Sequence, residues 1–248
     1  MEQLSKILLS ARAACTAGEF PTADGVFESV ALSVQEHMAG FDASHDFNHV
    51  IRVAALSQYI MATERRSTPQ HAANPAIVLL AAVVFFGGFL TSPHSLLHDV
   101  TDKKYIKDPD PGSRLTQILA KAGVDEHFAT AVVAIVNNVS YSTEIRDPGH
   151  TQSVLKMYPE LGIVQDADRL DAIGAIGVGR AFTFGGAKMP LSDMQLSRDH
   201  MTEKLEKLES MMKTDTGKRL ATERTQRIHT FSKWWDQETR LFDVLPTI

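Results

Sequence analysis

Apolar positions along the chain recur three and four apart. Leu4, Ile7, Leu8 and Ala11 make one such stripe, Phe27, Val30, Ala31 and Val34 a second, and Val50, Val53, Ala54, Ser57 and Ile60 a third. This is the period of a helix with one buried face. The same spacing predicts helices over 114–122, 128–138 and 151–158. Two long amphipathic stretches, 193–212 and 216–241, follow. Their acid–base pairs four apart, such as Glu203 with Lys207, read as a solvated face. Pro69, Pro93, the run 108–112 (DPDPG), Pro148-Gly149 and Gly185-Gly186 are the expected breaks. Alternating β-type runs are not found, so the pattern predicts an all-α fold.

One stretch departs from the amphipathic rule. Residues 72–97 carry no formal charge, and 76–90 (AIVLLAAVVFFGGFL) are almost wholly apolar. A membrane helix needs roughly 20 predominantly apolar residues. This run is shorter, contains Gly87-Gly88 and stops at Pro93, so a helix buried in protein is the expectation.

Composition narrows the functional classes. A chain of 248 residues, 44% hydrophobic, is long enough for one sizeable core, and a single domain over 1–248 is expected. Cys15 is the only cysteine, which excludes a disulfide scaffold and a thiolate zinc finger. A net charge of −5 offers no basic field for a nucleic acid polymer or an acidic membrane. The first twenty residues lack the continuous apolar core of a secretory signal, and Glu2 and Glu19 argue against a mitochondrial presequence, so the cytoplasm is expected. Ten histidines direct attention to metal or phosphate chemistry.

Three local patterns concentrate that chemistry. The first is His45-Asp46-Phe47-Asn48-His49 with Arg52; the second is Leu96-Leu97-His98-Asp99, running on to Lys103 and Lys104; the third is Asp166-Ala167-Asp168-Arg169-Leu170-Asp171. Imidazole nitrogens and carboxylate oxygens together suit a first-row divalent ion. Taken singly, each has a structural reading. Asp166 and Asp171 are expected to cap a helix or to pair with Arg169, and His37, His71, His94 and His229 are read as packed or surface histidines.

Together, and in this order, the patterns resemble the HD superfamily of metal-dependent phosphohydrolases, whose signature is H…HD…D on an all-helical bundle. The likeness is closer to the small stand-alone HD-domain hydrolases of the bacterial YpgQ and YedJ type, which have fungal relatives. It runs from about Ser44 to Glu238 and includes 137–142 (NNVSYS), 166–177, Arg180-Ala181-Phe182, 200–208 (HMTEKLEKL) and 212–224.

The resemblance implies an HD-domain helical bundle, with a core over about 25–186 and a carboxy-terminal helical extension over about 193–242. It places the metal ligands on His49, His98, Asp99 and Asp168, and implies one divalent ion, with Mn, Mg, Ni, Co, Fe and Zn not distinguished. His45 and Asp46 stand beside the ligands on the catalytic side, and Asp99 is a further candidate for steering water or taking a proton. Arg52, three residues after His49, shares its helical face. Arg52, Lys103, Lys104, Arg180 and Lys204 are the candidate phosphate-binding cations. The implied activity is hydrolysis of a phosphoester or phosphoanhydride by metal-activated water. A small phosphorylated substrate, with a nucleoside triphosphate as the guess, is the expected partner; oligomeric state is open.

Two alternatives stand beside this reading. One is an HD fold retained only for binding or regulation, against which all four ligand positions are filled. The other is a dinuclear-iron oxygenase of the same superfamily, which needs two more histidines; His127 and His150 are the available ones. The chain also departs from its relatives where an apolar helix should run directly into His98-Asp99. Residues 84–95 (VFFGGFLTSPHS) intervene, either as a tolerated loop or as an untranslated intervening sequence carried into the chain. A helical continuation of that length would displace the pair by about 18 Å, so the block is expected to loop out.

Overall fold

The computed structural model describes residues 2–13, 15, 25–68, 72–85 and 111–240. Among these residues there are helices, turns and loops and no strand. In chain order the α-helices are α1 (Glu2–Ala13), α2 (Gly25–His37), α3 (Phe47–Ser67), α4 (Pro75–Val84), α5 (Pro111–Lys121) and α6 (Glu126–Val136). They continue with α7 (Tyr141–Arg146), α8 (Pro148–Met157), α9 (Glu160–Asp171), α10 (Gly174–Lys188), α11 (Met194–Glu203) and α12 (Asp215–Thr239).

The bundle is organised around α4. Asn74 caps its amino end by accepting from the backbone N–H groups of Ala76 and Ile77, and Pro75 occupies the first turn, where its missing N–H costs nothing. Every residue of α4 is buried, and α2, α3, α6 and α9 pack around it. That is the fate expected of a helix apolar on all sides. No helix among the described residues is long and apolar enough to cross a membrane. Phe85, which follows α4, is only 4% exposed. Val84 and Phe85 therefore belong to the buried end of this helix, not to an extruded block; the rest of that block lies outside the described residues.

The amphipathic stripes are buried as their period implies. Leu4, Ile7, Leu8 and Ala11 cover α3, so the first helix joins the same core. One expected break is not a break. Pro148-Gly149 marks the boundary between α7 and α8 and opens the latter, whereas Gly185-Gly186 lies within α10. A Cβ on Gly185 would collide with the Ser197 hydroxyl, so this glycine permits α10 and α11 to pack closely. The predicted helix over 193–212 is interrupted instead at Lys204, after which a 3-10 segment, Leu205–Met211, leads towards α12.

A polar clasp fastens this carboxy-terminal region to α9. Asp166 accepts from the backbone N–H of Lys213 at 2.8 Å and of Thr214 at 2.7 Å, and from the Thr214 hydroxyl at 2.7 Å. Thr214 in turn caps α12 through Gly217 N–H. Gly217 lies so close to the Asp166 carboxylate that a Cβ there would overlap it. Arg169, its side chain 2% exposed, donates to Glu144 at 2.5 Å and to the Met211 carbonyl at 2.8 Å. Lys213 Nζ adds a second cation on Glu144 at 2.7 Å.

Candidate functional site

Asp46 caps α3, its carboxylate accepting from His49 N–H at 3.2 Å. The helix that starts there projects His49 and Arg52, three residues apart, to one side. Opposite lies the end of α9, where Asp168 and Asp171 are likewise three apart; α3 and α9 pack against each other. Gly174, at φ 74°, takes the left-handed conformation that a side chain would strain. The turn made there sends α10 back past α9 and returns Arg180 to Asp171.

Asp171 is the hub. Its carboxylate, 2% exposed, lies 2.5 Å from His49 Nδ1. Arg52 grips it bidentately, Nε to Oδ1 at 2.7 Å and the NH2 nitrogen to Oδ2 at 3.0 Å. Arg180 donates NH1 to Oδ2 at 3.1 Å and Nε to the Ser44 carbonyl at 2.8 Å. Burial alone would raise the Asp171 carboxyl, but the His49 and Arg52 hydrogen bonds outweigh it and hold the group well below the usual carboxylate range. His49 is wholly buried; desolvation lowers its pKa to about 3, so the imidazole is neutral. On its other side, Nε2 stands 3.8 Å from Asp168 Oδ1. Burial pushes the Asp168 carboxyl up to about 6.

The other expected residues gather partly around this centre. His45 forms T-shaped ring pairs with His49 and with Phe184, with centroids 6.3 and 5.9 Å apart, and its Nδ1 lies 2.7 Å from the Ser44 hydroxyl. Burial, with Arg180 nearby, lowers its pKa to about 4. Lys204 sits over the Tyr141 ring, 5.1 Å from its centroid. Burial lowers the Lys204 ammonium while the Asp168 charge opposes that shift, which places the two in electrostatic reach. Neighbouring His200 is also lowered, by burial and by Lys204. His98, Asp99, Lys103 and Lys104 lie outside the described residues.

Two expectations are corrected. Asp166 and Asp171 are not partners of Arg169, which pairs with Glu144; Asp166 closes the clasp and Asp171 holds the site. Asp171, which binds His49, Arg52 and Arg180, is the carboxylate at the centre of this cluster that the motifs do not single out. Its signal was present: three residues after Asp168 in a helix is the same face. His127 and His150, which a dinuclear site would recruit, are both exposed in the first turns of α6 and α8.

Among the described residues no three His, Cys, Asp or Glu side chains form a metal-binding group. Of the four expected ligands, the two that are described do meet. A separation of 3.8 Å between Nε2 and Oδ1 is too long for a hydrogen bond, yet two bonds near 2 Å to one ion can span it. A neutral imidazole and a partly exposed carboxylate are the donor types that a first-row divalent ion takes. The residues present fit such an ion.

No protein-family model matches the chain. It is 34% identical over 203 residues to the uncharacterised protein YpgQ of Bacillus subtilis, a match covering 79% of this chain and 85% of YpgQ. The structure of YpgQ in complex with ADP superposes with a TM-score of 0.58 at 28% identity, covering 86% of this chain and 94% of that one. An HD-superfamily hydrolase from Bacillus thuringiensis shares the fold, with a TM-score of 0.58 at 23% identity over 88% of this chain and 97% of its own. Sequence and architecture agree, and the chain belongs to the YpgQ-type family of HD-domain proteins.

Proposed function

We propose that the protein is a metal-dependent phosphohydrolase acting in the cytoplasm on a small phosphorylated substrate, with a nucleotide as the substrate class. The observation that carries this reading is the His49–Asp168 pair, set 3.8 Å apart, with Arg52 and Arg180 on the adjacent Asp171. His98 and Asp99 complete the expected ligand set. A divalent ion bound there would polarise a phosphoryl oxygen and lower the pKa of water. The nucleotide class is supported by the ADP complex of YpgQ.

The chain's own residues then divide the work. Lys204 has no carboxylate partner among the described residues, is desolvated, and senses the Asp168 charge, so it is placed to take a phosphoryl oxygen. Arg52 and Arg180 each hold Asp171 but keep a further guanidinium nitrogen for the substrate, Arg52 NH1 and Arg180 NH2. Lys103 and Lys104, which lie outside the described residues, remain further candidate phosphate-binding cations. His45 is neutral, engages Ser44 through Nδ1, and offers Nε2 as a proton acceptor. Asp46 fixes the start of α3 and with it the position of His49. Asp99 would be both a ligand to such an ion and a candidate for steering water or taking a proton.

A panel of nucleoside tri- and diphosphates and simple phosphoesters, assayed with Mn²⁺, Mg²⁺, Co²⁺, Ni²⁺ and Zn²⁺, tests the reading. Activity should require metal and vanish in Asp99→Ala. Unchanged turnover in that variant overturns the metal-assisted mechanism. Metal content near one equivalent is expected, and two irons per chain would establish the oxygenase alternative.

A further inference from the structure

Both arginines that the substrate reading invokes lean on a carboxylate that this reading leaves without a role. We propose that Asp171 is a positioning residue: it holds His49 with the proton on Nδ1, so that Nε2 is the nitrogen presented beside Asp168. Arg52 and Arg180 hold Asp171 in their turn. The proposal rests on His49 and Asp168 being metal ligands.

Four observations converge on it. An ionised carboxylate can only accept, so the His49 nitrogen 2.5 Å from Asp171 Oδ2 is the one that bears hydrogen. Nε2 is then the lone-pair nitrogen, and it is the atom 3.8 Å from Asp168 Oδ1. Two guanidiniums on the same carboxylate keep it ionised and fix its plane, since Arg52 binds both oxygens. Finally, His49 and Asp171 are almost fully buried, so water cannot substitute for the carboxylate as acceptor.

The charge arrangement supports the same role. Without Asp171, the two guanidiniums would lose the carboxylate that both of them bind directly. With it, the cations are balanced and remain close enough to meet a phosphoryl group. One side chain thereby orients a ligand and sets the electrostatic conditions for the substrate. Carboxylates placed behind metal-bound histidines typically change metal affinity by about 10–100-fold when removed.

The test uses the full chain, stripped of metal, as wild type, Asp171→Asn and Arg52→Ala. Long-range proton–nitrogen correlation spectra of ¹⁵N-labelled histidine read the His49 tautomer, and calorimetry reads Mn²⁺ affinity; thermal melts of the metal-free proteins report folding. Wild type should show the Nδ1–H tautomer. Asp171→Asn should weaken Mn²⁺ binding by about 10–100-fold. Arg52→Ala removes two bonds from Asp171 yet leaves the imidazole contact, so it should lower the melting temperature while Mn²⁺ affinity stays near wild type.

If both variants lose Mn²⁺ affinity in proportion to their melting temperatures, Asp171 is merely structural and the proposal is overturned. A wild-type Nε2–H tautomer overturns it directly. Should wild type take up none of Mn²⁺, Mg²⁺, Co²⁺, Ni²⁺ and Zn²⁺, the phosphohydrolase reading fails. The tautomer then decides the Asp171 assignment alone: Nδ1–H upholds it and Nε2–H overturns it.

Discussion

At the scale of single residues, the site is a sorting of cations by what already holds them. Arg52 and Arg180 are anchored on Asp171, whereas Lys204 rests on an aromatic face and has no carboxylate partner among the described residues. An ammonium so placed can be removed without stranding a buried charge, which separates its catalytic value from folding. Lys204→Ala should therefore lower kcat/KM by about 10²-fold, the order seen for one charge-stabilising donor, with Mn²⁺ affinity and melting temperature near wild type. Steady-state kinetics beside calorimetry checks this; a variant with wild-type kcat/KM would remove Lys204 from the substrate rim. Histidine chemistry follows the same logic. His45 and His49 are kept neutral by burial, which leaves each imidazole with a lone pair instead of a charge.

At the scale of elements, α4 shows how far composition alone carries a structural claim. Ten consecutive buried residues give this helix no polar face, and only the centre of a bundle can accommodate it. Leu80 is fully buried there, and Leu80→Ala should cost about 2–5 kcal/mol by leaving a cavity. Denaturant unfolding measures it. The contrast lies just beyond the helix. Because Val84 and Phe85 are part of the buried end, a deletion should begin after them; removal of 86–95 is expected to preserve soluble yield and Mn²⁺ binding. Loss of metal in that deletion, with the full chain holding it, would make the block integral to the site. The interrupted segment between α11 and α12 makes a different point. A charge pattern at helical period runs through 193–212, but the backbone departs from the helix at Lys204, next to the ring over which that side chain sits.

At the scale of the whole molecule, the site and the carboxy-terminal helix share α9. Asp166, Asp168, Arg169 and Asp171 lie within six residues, yet they point to two different tasks: Asp168 and Asp171 to the site, Asp166 and Arg169 to the clasp. Glu144→Ala leaves the Arg169 guanidinium buried without its carboxylate. The expected loss is about 3–5 kcal/mol, the usual consequence of breaking one side of a buried pair. A fall in stability with unchanged KM in the surviving folded fraction would confirm that the clasp supports α9 without touching substrate.

The sequence by itself determined the helical class, the buried run at α4 and the family. Period, charge exclusion and the order of His and Asp motifs are local properties that survive without coordinates. The pairing of His49 with Asp168 was legible only through resemblance, since 119 positions of chain separate them and no spacing rule spans that distance. Partner choice was decided by tertiary structure. Arg169 adjoins Asp168 in sequence but projects about 100° away around the helix, into the clasp with Glu144. Asp171 looked like a surface or capping carboxylate until α3 and α10 brought two guanidiniums and an imidazole to it. Helical period fixes which residues share a face; only the packing of one helix against another decides what that face meets.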